Sequence, residues 1–311
     1  MIENALEVIN VTKKFKTDFW KRSTLSVSDV SFQVPQKSIC GLIGPNGAGK
    51  TTIIKMILGF IEPTEGSVKI FGQDASDKAS HLKIGYLPEH AYYYDYLKPV
   101  EFLDFYAKLF NIPSDVRKKR IESLLDLVGL SGREDIKLRS FSKGMLQRIG
   151  IAQALINDPE MVIFDEPMSG LDPVGRKDVR DIILSLKERG KTVMFSTHIL
   201  SDVENLCDQA VMLIKGKLKA SGNVSDLVQP RVRSYDLVVD SLGNIEVPSE
   251  WQPNVRILDF QKHKTLRFQQ TDTINQQSIL NWVQKNNISL VSFVPHKESL
   301  EDILIQNMEN A

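Results

Sequence analysis

Gly44-Pro45-Asn46-Gly47-Ala48-Gly49-Lys50-Thr51 is the stretch that decides the fold, and Thr52 follows it directly. It spells G-x-x-x-x-G-K-[ST] in full. Three glycines let the backbone curl into a nest whose N–H groups converge on phosphate. Lys50 reaches the terminal phosphates, and the Thr51 hydroxyl supplies a ligand for magnesium. The flanks agree. Ser38-Ile39-Cys40-Gly41-Leu42-Ile43 is a short apolar run of the buried-strand kind, and Lys50 to Leu58 reads as a helix. Phosphate would then sit at a helix N-terminus. A glycine-rich turn without a ligand is the bland alternative, and the strand and helix around the loop argue against it.

Outward from the loop, Leu6–Ile9, Val30–Val34 and Ser67–Phe71 read as strands, the first two flanking a polar loop that holds Phe15, Phe19 and Trp20. Strand then alternates with helix. Ile84–Leu87, Met161–Phe164 and Thr192–Phe195 are strands; Val100–Phe110, Arg117–Val128, Lys143–Ile156 and Val174–Arg189 are helices. Such alternation predicts a mainly parallel α/β sheet covered on both faces, and Ala210–Ile214 followed by Lys215-Gly216 reads as a closing hairpin. Composition shifts near Gly222. Residues 1–222 form one expected domain and 223–311 a second, small α+β domain, with the junction at about 222 to 232.

At 311 residues the chain is long enough for two domains with separate cores. Lysine plus arginine and aspartate plus glutamate number 39 each, so charge offers no argument for nucleic acid or anionic lipid. Cys40 and Cys207 lie in apolar surroundings without metal-ligand spacing, as expected in a reducing compartment. No signal peptide and no run of 18 uncharged apolar residues is visible, which predicts a soluble intracellular protein.

Met161-Val162-Ile163-Phe164-Asp165-Glu166 is an apolar strand that ends in two acids. It would deliver Asp165 beside the phosphate loop, to hold magnesium through water, and Glu166 one residue on, to polarise an attacking water. The remaining motifs follow in order: Phe141-Ser142-Lys143-Gly144-Met145 ahead of a helix, Ser169-Gly170-Leu171-Asp172, and Ser196-Thr197-His198. This order resembles that of the ATP-binding cassette (ABC) ATPases, the motor subunits of ABC transporters, over about residues 5 to 222.

The resemblance implies a P-loop NTPase cassette: a mainly parallel sheet with an antiparallel β subdomain and a helical subdomain. It implies ATP and Mg2+ as cofactors, and two cassettes closing head to tail. Lys50, Glu166 and His198 would be catalytic, with His198 contacting the γ-phosphate and orienting the water. Gly44 through Thr52 and Phe15, which matches the position that stacks on adenine, would bind nucleotide. Ser142 and the Gly144 N–H would bind the γ-phosphate held by the other subunit, and Asp172 would touch that subunit. Thr51, Asp165 and Glu89 are the implied metal ligands. Two departures mark the chain: the family's usual signature is Leu-Ser-Gly-Gly-Gln, and Glu89 stands where glutamine is usual. Both resemble the branch that drives ABC-2-type exporters. A carboxylate at Glu89 keeps a hard oxygen for magnesium.

Five of the seven tyrosines, Tyr86, Tyr92, Tyr93, Tyr94 and Tyr96, crowd behind Glu89. In the family this segment receives a coupling helix from an integral membrane permease, and tyrosine suits an interface core. A core for the helical subdomain, shared with Phe102, Phe105 and Tyr106, is the competing use. Lys297 to Ile303 resembles the end of the accessory domain of ABC-2-type ATPases, and His263 and His296 read as isolated surface residues. The resemblance therefore implies a peripheral motor at the cytoplasmic face of the membrane, paired with a second copy and binding no nucleic acid. A soluble cassette ATPase acting on ribosomes or DNA is the alternative. Those relatives usually carry two cassettes or a coiled-coil insertion, and this chain has neither.

Overall fold

The computed structural model describes residues 3–16, 23–228, 232–240, 245–260, 263–297 and 299–309. Phe19 and Trp20 lie outside them. The chain divides into two compact units, one of residues 1–227 with 304–311 and one of residues 228–303.

The first unit opens with β1 (Asn4–Lys16) and β2 (Ser23–Pro35), paired antiparallel from Asn4↔Pro35 to Lys16↔Ser23. The sequence predicts only short strands here, around a loop. The pairing runs on because register shifts absorb the irregular stretches and polar side chains find partners. Asp29 N–H donates to Thr12 Oγ1, and Lys13 Nζ to the Glu62 carbonyl. Next come β3 (Ile39–Ile43), α1 (Lys50–Ile57), β4 (Glu65–Ile70), β5 (Gln73–Asp74), α2 (Lys78–Leu82) and β6 (Ile84–Leu87). The sheet β2-β1-β4-β5 is antiparallel.

The helical part is α3 (Pro99–Leu109), α4 (Ser114–Leu127) and α5 (Lys143–Ala154). After it come β7 (Met161–Phe164), α6 (Pro173–Glu188), β8 (Thr192–Thr197), α7 (Leu200–Leu206), β9 (Gln209–Ile214), β10 (Lys217–Asn223) and α8 (Val224–Leu227). The central sheet runs β10-β9-β3-β8-β7-β6, parallel from β9 to β6, with β10 antiparallel at one edge. Every residue of β3, β7 and β8 is buried, as a sheet covered on both faces requires. This stacks the C-terminal ends of three apolar strands side by side, and the polar residues just past those ends form the site.

In the second unit β11 (Val232–Asp240), β12 (Val255–Phe260), β13 (His263–Gln269) and β14 (Leu290–Lys297) make an antiparallel sheet in the order β12-β13-β11-β14. α9 (Gln276–Lys285) adds Ile279, Trp282 and Val283 to a core with Tyr235, Leu237, Trp251, Leu266 and Phe268. The chain's last helix is α10 (Leu300–Glu309). The first unit extends past Gly222 because β10 stays paired to Asn223↔Gln209 and Val224 N–H bonds the Asp208 carbonyl.

Candidate functional site: the phosphate loop and its surroundings

The loop joins β3 to α1. Gly44 packs so close to the Leu213 carbonyl and Ala48 that a Cβ would collide with both. Gly49 sits at φ +103, a left-handed conformation that glycine adopts without strain, and ends the loop at the first turn of α1. Lys50 is buried; its Nζ donates to the Gly44 carbonyl at 2.6 Å and lies 3.3 Å from Glu166 Oε1.

β7 carries Asp165 and Glu166 to the same place. Thr51 Oγ1 donates to Asp165 Oδ2 at 3.4 Å, and Ser196 Oγ, on β8, donates to Asp165 Oδ1. The Glu166 N–H donates in turn to Ser196 Oγ at 2.9 Å. Glu166 has φ +49, a left-handed conformation costing about 1–3 kcal/mol for a side-chain-bearing residue. That backbone turn leaves its buried carboxylate between Lys50 and His198, whose Nδ1 lies 2.9 Å from Glu166 Oε2. The cleft, about 400 Å³, is lined by Pro45 to Thr52 with Ser26, Glu89, Asp165, Glu166, Ser169 and His198. Fixed N–H donors, one cation and several carboxylates make it a place to hold a polyphosphate and polarise a water beside it.

The other expected residues lie elsewhere. Ser142, Gly144 and Asp172 line a separate cavity of about 380 Å³ with Lys143, Met145 and Arg148. Ser142 caps α5 by accepting from Met145 N–H at 3.3 Å, and Asp172 caps α6 by accepting from Gly175 N–H at 2.8 Å. Phe15 pairs with Thr24 near the end of β1, is 40% exposed, and is not among the residues lining the cleft. The tyrosine run splits. Tyr92 is 85% exposed, while Tyr93 turns inward, its ring 5.7 Å from Phe102 and its hydroxyl over Gly150. Tyr94 meets Phe105 edge-on at 5.6 Å. Burial, then Asp165 and Glu89, push the Tyr86 hydroxyl up to about 12.

Two residues escape a reading of the sequence. Ser26 lines the cleft with its Oγ 2.8 Å from Thr52 Oγ1, and Ser196 orients both acids. Ser196 stands in the Ser-Thr-His motif, which signals its place without its task. Ser26 falls in a stretch that reads as loop, with no signal of its own.

Comparison with known proteins places this cassette geometry. The ABC transporter family model matches residues 27–169. An uncharacterised ABC transporter ATP-binding protein of Synechocystis sp. is 42% identical over 308 residues, 98% of this chain and 85% of that protein. The bacitracin transport ATP-binding protein BcrA of Bacillus licheniformis is 34% identical over 288 residues, 91% of this chain and 92% of BcrA. A solved structure of the ATP-binding subunit of an ABC transporter is similar with a TM-score of 0.62 at 32% identity, covering 72% of this chain and 91% of that one. The chain belongs to the ABC transporter ATP-binding subunits. It binds ATP and is an ATPase. No helix among the described residues is long and apolar enough to cross a membrane.

Proposed function

We propose that the chain is the ATP-hydrolysing motor of an ABC-2-type exporter, working as a pair of identical cassettes at the cytoplasmic face of a membrane permease. The observation that carries the catalytic part is the Glu166 carboxylate, held between Lys50 and His198 one residue from Asp165. Transport by relatives such as BcrA and the departures at Lys143, Met145 and Glu89 support the exporter part.

In this reading the loop N–H groups and Lys50 hold the β- and γ-phosphates. Glu166 accepts the proton of the attacking water, and His198, braced by Glu166, contacts the γ-phosphate. The donor set suits a hard cation: the Thr51 hydroxyl faces an Asp165 oxygen, while Ser196 occupies the other one. Thr51, Asp165 and Glu89 would hold magnesium, which neutralises phosphate charge when bound. Phe15 stacks on adenine. Ser142 and Gly144 meet the terminal phosphate of the nucleotide on the second copy, and Asp172 faces that copy. Tyr92 and Tyr96, the exposed members of the tyrosine run, dock the permease. Residues 228–303, the second unit, act as an accessory domain outside the catalytic unit.

Glu166→Gln keeps shape and hydrogen bonding but removes the base. Turnover should fall more than about a hundred-fold while ATP still binds and pairs the chains. ATPase assays beside nucleotide titration and sizing in ATP check this, and full-rate hydrolysis would remove Glu166 from the base role.

A further inference from the structure

Ser26 is the one residue of β2 among the described residues that line the cleft. It is also the extra residue of a bulge. Lys13↔Val27 is followed by Lys14↔Leu25, so two steps of β2 oppose one step of β1. A bulge breaks the in-and-out alternation of a strand and re-aims the side chain it carries. Here the side chain is aimed at α1: Ser26 Oγ lies 2.8 Å from Thr52 Oγ1.

The backbone is fitted as closely. A Cβ on Gly216, in the turn between β9 and β10, would collide with the Ser26 carbonyl, and one on Gly49 would stand 3.1 Å from the same oxygen. Ser28 N–H donates to the Gly216 carbonyl at 2.8 Å, and Gly216 N–H donates to the Ala48 carbonyl at 3.1 Å. The bulge, the phosphate loop and the β9–β10 turn therefore meet at residue 26.

A hydroxyl has one proton to give and two lone pairs to receive, whereas phosphate oxygens only receive. If Thr52 gave its proton to Ser26, it would have none for a phosphate. If Ser26 gives instead, the Thr52 proton is free and becomes a stronger donor. A bound anion selects the second direction. Thr52 also stands apart from the contacts that join Lys50 to Glu166 and Thr51 to Asp165 at the reacting end.

We propose that Ser26 is a positioning residue for the nucleotide: its hydroxyl donates to Thr52 Oγ1 and commits the Thr52 proton to a phosphate that ATP and ADP share. The proposal rests on the reading that the loop through Thr52 binds nucleotide.

The test uses the full chain and four variants: Ser26→Ala, Ser26→Thr, Thr52→Ala and the double variant Ser26→Ala/Thr52→Ala. Ser26→Ala should raise the dissociation constants of ATP and ADP alike by about five-fold, the size of one lost neutral hydrogen bond. Its kcat at saturating ATP should stay within about two-fold. Ser26→Thr keeps the hydroxyl and should restore both affinities. The double variant should bind no more weakly than Thr52→Ala alone, because the Ser26 proton then has no receiver. Unchanged affinity in Ser26→Ala would overturn the proposal and, with a lower melting temperature, make the bulge a structural seam only. Additive losses in the double variant would overturn it by making Ser26 a direct ligand. A loss confined to ATP would overturn it by moving the contact to the terminal phosphate. Unchanged affinity in Thr52→Ala would overturn it through the reading of Thr52 rather than of Ser26.

Discussion

The two polar cavities of the first unit differ in how their groups are matched. In the phosphate-loop cleft Lys50, Glu166 and His198 form one chain of contacts, and Thr51, Asp165 and Ser196 form another. In the cavity at the start of α5, Ser142 and Asp172 satisfy only the helix ends they cap, and Lys143 lies across Gly170. The first arrangement fixes charges in place before any substrate arrives, which is what lowers a barrier. The second presents a hydroxyl and helix-start N–H groups outward, and its carboxylates face partners of their own: Asp172 accepts from Gly175 N–H, and Asp178 lies 3.6 Å from Arg148. On the proposed function, the first cavity serves the chemistry and the second serves recognition of the other copy's nucleotide.

Breaking the first cavity should have the larger effect. Lys50→Ala removes the one lysine that lines the cleft among the described residues and a charge-assisted phosphate contact worth about 1.5–3 kcal/mol. The ATP dissociation constant should rise about ten- to hundred-fold by titration. A smaller change would mean that the backbone nest carries the phosphates nearly alone.

Ser142→Ala sharpens the contrast. Nucleotide binding by the separate chain should stay within about two-fold, since the cleft is untouched. ATP-driven pairing in a Glu166→Gln background should weaken about ten-fold, the size expected for one lost hydrogen bond to a charged phosphate. The lost cap should also cost about 1 kcal/mol, or 2–4 °C of melting temperature. Equal pairing by sedimentation would detach Ser142 from the second copy.

The tyrosines extend the comparison to the surface. Tyr93→Ala removes a ring packed on Phe102 and should lower the melting temperature by several degrees. Tyr92→Ala, at an exposed ring, should leave melting and basal ATPase unchanged while weakening co-purification with the permease by about 2 kcal/mol. Early melting by both variants would place the whole run in the core.

The smallest expected effect is electrostatic. The Lys108 ammonium and then the Arg117 guanidinium beside Asp104 hold its carboxyl below the ordinary range, tying α3 to α4. A depressed folded value means the contribution is present above the unfolded pKa and is lost as pH falls through the folded one. Arg117→Met should therefore lower the melting temperature by about 1–3 °C at pH 7 and by less near pH 2, where only the bond from Arg117 Nη1 to the Ile112 carbonyl is left to lose. An equal loss at both values would trace it to the Ile112 carbonyl bond and packing of the arginine stem rather than to the Asp104 pair.

Much of the cleft was legible because its parts are contiguous. A phosphate nest is eight consecutive residues, and a strand that ends in Asp-Glu must deliver both acids past the sheet edge. The signature residues were legible as motifs, yet nothing along the chain says that they line a separate cavity, because that depends on where α5 and α6 begin relative to α1. The split between Tyr92 and Tyr93 was equally hidden, since identical side chains at adjacent positions differ only in what lies beneath them. Gly150 leaves the space that Tyr93 fills, 57 positions further along.

The sequence by itself determined a phosphate-binding α/β cassette, the pair Asp165 and Glu166, and the histidine at the end of a strand. Each of these is written in neighbouring residues whose spacing sets the backbone. Tertiary structure alone decided that Ser196 would hold both acids, that Ser26 would reach Thr52, that β1 and β2 would pair over their full length, and that Asp202 Oδ2 would lie buried with no partner among the described residues. These features join residues 7 to 31 positions apart or rest on the sum of many neighbours. Local propensity carries no record of such meetings, because packing across strands and helices creates them only when the fold is complete.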